Sequence, residues 1–345
     1  MNKLMLGLIG NAEDRNKPYR WSVRNTVQTI VLTITVLIGI QFYFWTTQIR
    51  AGGEVTISRP PGVEGFLPIG SLMGWKYWLQ TGIWDAVHPA GMVILGFAIL
   101  LSLVLRKAFC GWFCPIGTLS EWLWKLGRKK SGDSWLPPKW LDIGLRSVKY
   151  LLLFFFGWAV ASMSAADIAG FLELPYWKVA DIKMLNFFTA MSLTTAVVLL
   201  VLTIGSLFIR NFWCRYFCPY GALTGIFALF SPSRIQRDDK TCTACGVCAR
   251  VCPAYLPVDK KDRIVSAECT GCYSCVEVCP VKPAMEMKTL GLKSRFWTAR
   301  RLAWAVGGGF ILVVITARVL GLWTSSVTIG EIRAILPRID FLQHF

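Results

Sequence analysis

A chain of 345 residues that is 54% hydrophobic, holds 16 tryptophans and has a mean hydropathy of +0.49 is not wholly a soluble protein. Its net charge of +17 points to nucleic acid only superficially, because the basic residues gather at the ends of apolar segments, as they do in cytoplasmic loops of membrane proteins. There is no glycine-rich phosphate loop, no HExxH and no nucleophile elbow, so hydrolysis and nucleotide chemistry find no support. Residues 1–26, with Lys3, Arg15, Lys17, Arg20 and Arg24, read as a cytoplasmic lead-in without the short apolar core of a signal peptide. A first span is expected over Val27 to Trp45. The connection that follows, 47–87, carries Trp75, Tyr77, Trp78 and Trp84 and few charges, so it is expected to fold back onto the membrane surface. It reads either as an interfacial cap or as a substrate or partner site.

A second span is expected over His88 to Leu105, followed by a basic segment to Lys149 that holds the Pro137-Pro138 break and lies inside. A third is expected over Tyr150 to Ala165, and a fourth over Phe187 to Ile209. Residues 235–292 form a cysteine-rich segment, and a fifth span, Leu302 to Trp323, closes the 293–323 region. The tail, 324–345, is expected outside, with Ile329, Ile332, Ile335 and Leu336 on a short surface helix broken near Pro337. The sequence thus predicts an all-α polytopic membrane protein of about five transmembrane helices. A soluble iron–sulfur unit is inserted between a membrane domain, 27–234, and the last span.

That unit is the most specific signal in the chain. CTACGVCARVCP (Cys242 to Pro253) and CTGCYSCVEVCP (Cys269 to Pro280) are both C-x2-C-x2-C-x3-C-P, the run found in two-cluster bacterial ferredoxins. Three thiolates two residues apart wrap one cluster, and the fourth, set off by three residues, reaches the other. The pattern assigns Cys242, Cys245, Cys248 and Cys279 to one [4Fe–4S] cluster, and Cys269, Cys272, Cys275 and Cys252 to a second. Gly246 and Gly271 are expected where backbone passes close to sulfide without a Cβ. Zinc knuckles and a disulfide framework fit eight identically spaced, proline-closed cysteines less well.

The remaining four cysteines lie in an internal repeat. LRKAFCGWFCPIGTL (Leu105 to Leu119) superposes on IRNFWCRYFCPYGAL (Ile209 to Leu223) after a shift of 104 residues. Cys110 matches Cys214 and Cys114 matches Cys218. Two hairpins related by an axis along the bilayer normal are expected. The i, i+4 spacing lets both thiols of a pair share a face, and the following proline places the pair where the chain turns at the inner end of a span. Three readings stay open for Cys110, Cys114, Cys214 and Cys218: a further iron–sulfur or metal centre, dithiol–disulfide chemistry, or a structural turn. Only His88 and His344 could ligate haem, and they are too poorly placed to face one another inside the bundle. His88, at the outer end of the second span, is a candidate contact for a quinone or a partner's haem, or an interfacial side chain without special task. Asp85 and Asp181, expected on the same side, read either as acceptors of a quinol's protons or as exposed interfacial carboxylates.

C-x3-C-P twice at span ends, then two ferredoxin runs before a last span, resembles the membrane polyferredoxins of the NapH and NosR type. The copper-oxidase assembly protein CcoG is more distantly similar. The resemblance covers residues 85–290. It implies electron transfer between the quinone pool and partner redox subunits such as cytochromes or ferredoxin-like proteins, with the ferredoxin clusters on the cytoplasmic face of a bacterial inner membrane. It implies no nucleic-acid partner. An alternative is a maintenance factor that reduces a metal centre or disulfide in a client respiratory enzyme. The chain departs from NosR in having no long flavin-binding region before its first spans, and from CcoG in having no large domain after the last.

Overall fold

The computed structural model describes residues 21–131 and 135–342, and there the chain is mostly helical. Lys3, Arg15, Lys17, Arg20 and His344 lie outside the described residues. Helix α1 (Val23–Arg50) begins where the Ser22 side chain accepts from the Asn25 amide. Its exposed face carries Ile30, Ile34, Leu37, Ile40 and Phe44, a stripe suited to lipid rather than water. The connection after it folds back as a 3-10 turn (Pro61–Phe66) and helix α2 (Pro68–Thr81), which ends on left-handed Gly82. Trp75, Trp78 and Trp84 meet edge to face there, with centroids 5.4–5.9 Å apart. Both pieces pack on α3 (Pro89–Leu105).

The chain continues through α4 (Pro115–Ser131), α5 (Lys139–Ser162), α6 (Ala165–Glu173), α7 (Ala180–Thr189), α8 (Leu193–Phe208), α9 (Phe212–Tyr216) and α10 (Pro219–Leu229). The cysteine-rich segment follows, then α11 (Ala299–Val319) and α12 (Ile329–Ile335). Among the described residues three helices are long and apolar enough to cross a membrane: α1, α5 and α11. A fourth crossing needs α7 and α8 together, and these are bent by 78° at their junction. The second expected span is α3, whose 17 residues rise only about 26 Å. Ala90, Met92, Leu95, Ala98, Leu101 and Leu105 bury it among α2, α10 and α11. α5 starts eleven residues before the expected third span, its first half burying Asp142 and Lys149 while Trp140 and Ile143 stay exposed.

Strands β1 (Ser233–Arg237) and β2 (Met285–Thr289) pair antiparallel, with Ser233 opposite Thr289 and Arg237 opposite Met285. They bring the two ends of the cysteine-rich segment together, a sheet that the helical pattern did not announce. The largest apolar core crosses the boundary between the two parts of the molecule. It joins Phe97, Leu101, Leu105, Phe109 and Trp112 to Ile235, Ile264, Val276 and Met287, and to Leu302 and Val306 of α11. The tail folds as α12 and a 3-10 turn (Leu336–Phe341), its Ile332 and Ile339 buried against Phe42, Trp45 and Ile49 of α1.

Candidate iron–sulfur sites

Two cavities occupy the cysteine-rich segment. One is lined by Cys242, Cys245, Cys248 and Cys279, the other by Cys252, Cys269, Cys272 and Cys275. In both, the last cysteine of a run faces the first three of the opposite run. Ala244 donates its amide to Cys242 Sγ at 3.5 Å and Leu256 to Cys252 Sγ at 3.4 Å, the N–H···S pattern that steadies thiolates on a cluster. Burial pushes the Cys252 thiol up to about 12 and the Cys275 thiol well above its ordinary value. Thiols held neutral in this way give up their protons when a metal ligates them. Among the described residues no three His, Cys, Asp or Glu side chains converge closely enough for a single ion. A cluster of several irons accepts the wider spacing that these thiols have.

Left-handed backbone recurs at matched places in the two runs. It falls two residues after the first cysteine, at Ala244 and Gly271, and one after the second, at Gly246 and Tyr273, with φ of 53°, 59°, 71° and 67°. Gly246 lines the first cavity, and the protein atom near its missing Cβ is Asp259 Oδ2, at 3.9 Å. Its left-handed backbone is one that glycine adopts without strain. Gly271 supplies closeness as well, since a Cβ there would lie 2.8 Å from the Leu105 carbonyl oxygen. That carbonyl belongs to the end of α3, so Gly271 marks where the ferredoxin-like segment is seated on the membrane part.

Other contacts across this seam are made by residues that the motifs did not single out. Arg106 is fully buried at φ 63° and donates to the Ala228 carbonyl at 3.0 Å and to the Ser266 carbonyl. Trp112 Nε1 donates to the Gly271 carbonyl at 3.0 Å. In the second hairpin, Arg210 donates to the Cys252 carbonyl at 3.0 Å and stacks over Tyr255 at 4.5 Å. Arg215 donates to the Ala254 carbonyl at 3.0 Å and pairs with Asp142 of α5 through two bonds of 2.8 Å. Both hairpins therefore grip the Cys252–Cys275 cavity. The signal for Arg106 and Arg210 was available, for they occupy one position of the 104-residue repeat.

The hairpin cysteines share a local design. Cys114 and Cys218 have extended backbone, each followed by a proline that opens α4 or α10. Gly117 donates to Cys114 Sγ at 3.5 Å and Gly221 to Cys218 Sγ at 3.2 Å, so each thiol sits at a helix N-terminus. A five-residue-back bond precedes each, Cys114 N to the Phe109 carbonyl at 2.9 Å and Cys218 N to the Trp213 carbonyl at 3.1 Å. Burial, with Cys110 next in effect, pushes the Cys114 thiol up to about 12, and Cys218 is a further neighbour. Burial raises Cys214 too, with Cys218, Cys114 and Cys110 around it. Charges on these thiols would therefore act on one another from both hairpins. Arg24 locks the first hairpin in place, donating to the Gly111 carbonyl at 2.7 Å and to Glu121 at 3.0 Å. Burial alone would raise the Glu121 carboxyl, but Arg24 and Lys125 hold it at about 2.

Comparison with known proteins follows the same division. A 4Fe-4S binding domain model matches residues 87–132 and again 191–237, and a 4Fe-4S dicluster domain model matches 234–280. YccM of Escherichia coli (strain K12), whose name proposes a role in electron transport, is 43% identical over 331 residues, 93% of this chain and 91% of that one. The regulatory protein NosR of Stutzerimonas stutzeri is 35% identical over 153 residues, 43% of this chain and 20% of NosR. The ferredoxin-type protein NapH of Haemophilus influenzae is 27% identical over 169 residues, 48% of this chain and 52% of NapH. The chain belongs to the NapH/NosR-type ferredoxin family. No solved structure matches it.

The chain is accordingly an iron–sulfur electron-transfer protein with apolar helices able to span a membrane. In this NapH/NosR-type chain His88 is 1% exposed, and both ring nitrogens are engaged by protein. Nδ1 lies 3.1 Å from Arg59 Nη2 and Nε2 lies 2.7 Å from the Trp177 carbonyl oxygen, so neither nitrogen is presented to a quinone or haem. Asp181 pairs with Arg59 at 2.7 Å, and Asp85 accepts from Trp177 Nε1 at 3.3 Å. Both carboxylates are buried, not the exposed interfacial groups that their place in the sequence suggested.

Proposed function

We propose that this chain passes electrons between the quinone pool and partner redox proteins through two [4Fe–4S] clusters. Cys242, Cys245, Cys248 and Cys279 would hold one, and Cys252, Cys269, Cys272 and Cys275 the other. The observation that carries the reading is the nesting of the two cavities. Cys252, Cys269 and Cys275 are buried against the hairpins, whereas three of the four thiols of the other set are only half-buried. A chain that stores iron has no need of an inner and an outer site; a chain that relays electrons does. When bound, the clusters supply one-electron transfer, and the protein's own work is to hold and insulate them. Arg106, Arg210 and Arg215 fix the carbonyls around the inner site, and Ile235, Leu256, Val258 and Ile264 keep water from it.

On the same reading Cys110, Cys114, Cys214 and Cys218 hold a further iron–sulfur or metal centre between the membrane and the inner cluster. Two matches of one family model, beginning 104 residues apart, support the two-fold repeat on which this depends. The distribution of basic residues supports five crossings, α3 and the α7–α8 pair included, with the N-terminus and clusters in the bacterial cytoplasm. The test is reduction. Protein purified without oxygen should carry about eight irons in the ferredoxin-like segment alone, and a quinol analogue should bleach its visible absorbance. Clusters that dithionite reduces but quinol leaves oxidised would refute the quinone link. A tag after Phe345 that only cytoplasmic probes reach would refute the topology.

A further inference from the structure

We infer that Lys107 is the built-in counter-charge of an anionic iron–sulfur cluster ligated by Cys110, Cys114, Cys214 and Cys218. This rests on the reading that the four thiols hold a centre, and it adds the sign of that centre's charge and the residue that answers it. Lys107 is 4% exposed. Among the described residues its ammonium forms neither a hydrogen bond nor an ion pair, and the charges that act on it are Glu268 first, then Cys110, Cys218 and Cys214. A methyl group built on Gly221 would lie 3.5 Å from Cys218 Sγ and 3.6 Å from Lys107 Nζ, so little more than one methyl group separates ammonium from sulfur.

The neighbouring charges do not cancel it. Glu268 is the carboxylate within reach, and both of its oxygens are taken by Lys149, at 2.6 and 2.7 Å, with the Tyr150 hydroxyl adding a bond at 3.2 Å. Two buried ammoniums and one carboxylate leave a positive charge facing the sulfurs. Tyr220, the other titratable group on this wall, is neutral. A buried charge left unanswered is strongly destabilising, and neutral thiols do not answer it. Four thiolates on an iron–sulfide core do, because their negative charge outweighs the core's positive charge. A zinc or iron ion with four thiolates would be anionic as well, but the four thiols do not converge on a point that suits one ion.

The experiment compares wild type, Lys107→Met, Lys107→Arg and the four-serine variant (Cys110, Cys114, Cys214 and Cys218 all to Ser). Each full-length chain is purified in detergent without oxygen. Iron per chain is measured, and a paramagnetic-resonance redox titration follows the species that the four-serine variant lacks. Reduction adds negative charge, so an adjacent ammonium favours the reduced form. Lys107→Met should therefore weaken reduction of that species by about tenfold or more, a fall of about 59 mV for a one-electron couple, or lose it with its iron. Lys107→Arg should restore both, and the ferredoxin clusters should not change. If the methionine protein fails to fold, Lys107→Gln carries the same expectation. Unchanged iron and unchanged potential in Lys107→Met, while the four-serine variant loses the species, would overturn the counter-charge alone. A four-serine variant that loses neither iron nor any species would overturn the centre itself.

Discussion

Gly271 is the position at which conformation and docking can be separated by experiment. Its φ of 59° places an alanine in the left-handed region, which costs roughly 1–2 kcal/mol. The added Cβ would also stand 2.8 Å from the Leu105 carbonyl oxygen, a backbone atom that cannot swing aside. Forcing that contact open adds about 1–3 kcal/mol. Gly246 provides the control, because its φ of 71° carries the same backbone penalty while the protein atom nearest its Cβ direction is Asp259 Oδ2, at 3.9 Å. Both alanine proteins are purified with their clusters and melted while the visible absorbance is followed. Gly246→Ala should lower the midpoint modestly. Gly271→Ala should fall below it by a further margin of roughly 4 °C or more, since each kcal/mol shifts a segment of this size by about that much. A Gly271→Ala midpoint equal to or above that of Gly246→Ala would refute the seating of the ferredoxin-like segment against the end of α3.

Ligand crossing is tested by Cys252→Ala and Cys279→Ala: the first should impair the cluster bound by Cys269, Cys272 and Cys275, the second that of Cys242, Cys245 and Cys248, as read from each cluster's resonance signal. Glu121 has a folded pKa of about 2, below its unfolded value, so its contribution is complete above the unfolded value of about 4.3 and fades as the pH falls toward 2. Helical circular dichroism in detergent should show wild type losing stability across that window, and Glu121→Gln should be weaker at neutral pH and flatter below it. Arg210→Met should shorten the lifetime of the inner cluster selectively, because it removes a charged donor from the Cys252 carbonyl and a cation from the Tyr255 face. Equal loss of both clusters would assign Arg210 a general structural role instead.

The cysteine spacings made most of the site legible in advance, because ligand geometry constrains sequence locally: both cavity linings were written in two twelve-residue runs. Apolar length was less informative. α3 reads as a span in isolation, yet neighbours bury it, and α5 was cut short because Asp142, Arg146 and Lys149 interrupt its apolarity. Asp142 and Lys149 face Arg215 and Glu268, partners 73 and 119 positions away that no local pattern reveals. His88 was misjudged for a related reason. Its distance from other histidines could be counted, but Arg59 and the Trp177 carbonyl are brought to it only by the fold. Gly246 and Tyr273 show a further limit. One demand for left-handed backbone is met by glycine in one run and tyrosine in the other, so composition at that place is a poor guide to conformation.

The pairing of Ser233 with Thr289 has a consequence for the chain's fate when iron is scarce. All that lies between them leaves and rejoins the helices through this one strand pair, so a chain deprived of clusters would unravel there and give up the core that Ile264 and Val276 share with Leu105 and Leu302. The helical part would remain while the seat beneath the lost segment lay open. Arg106, Arg215 and Trp112 would then turn toward water, having lost the carbonyls of Ser266, Ala254 and Gly271. Without its clusters the chain would thus present a cationic socket beside a frayed loop, which renewed iron can rebuild.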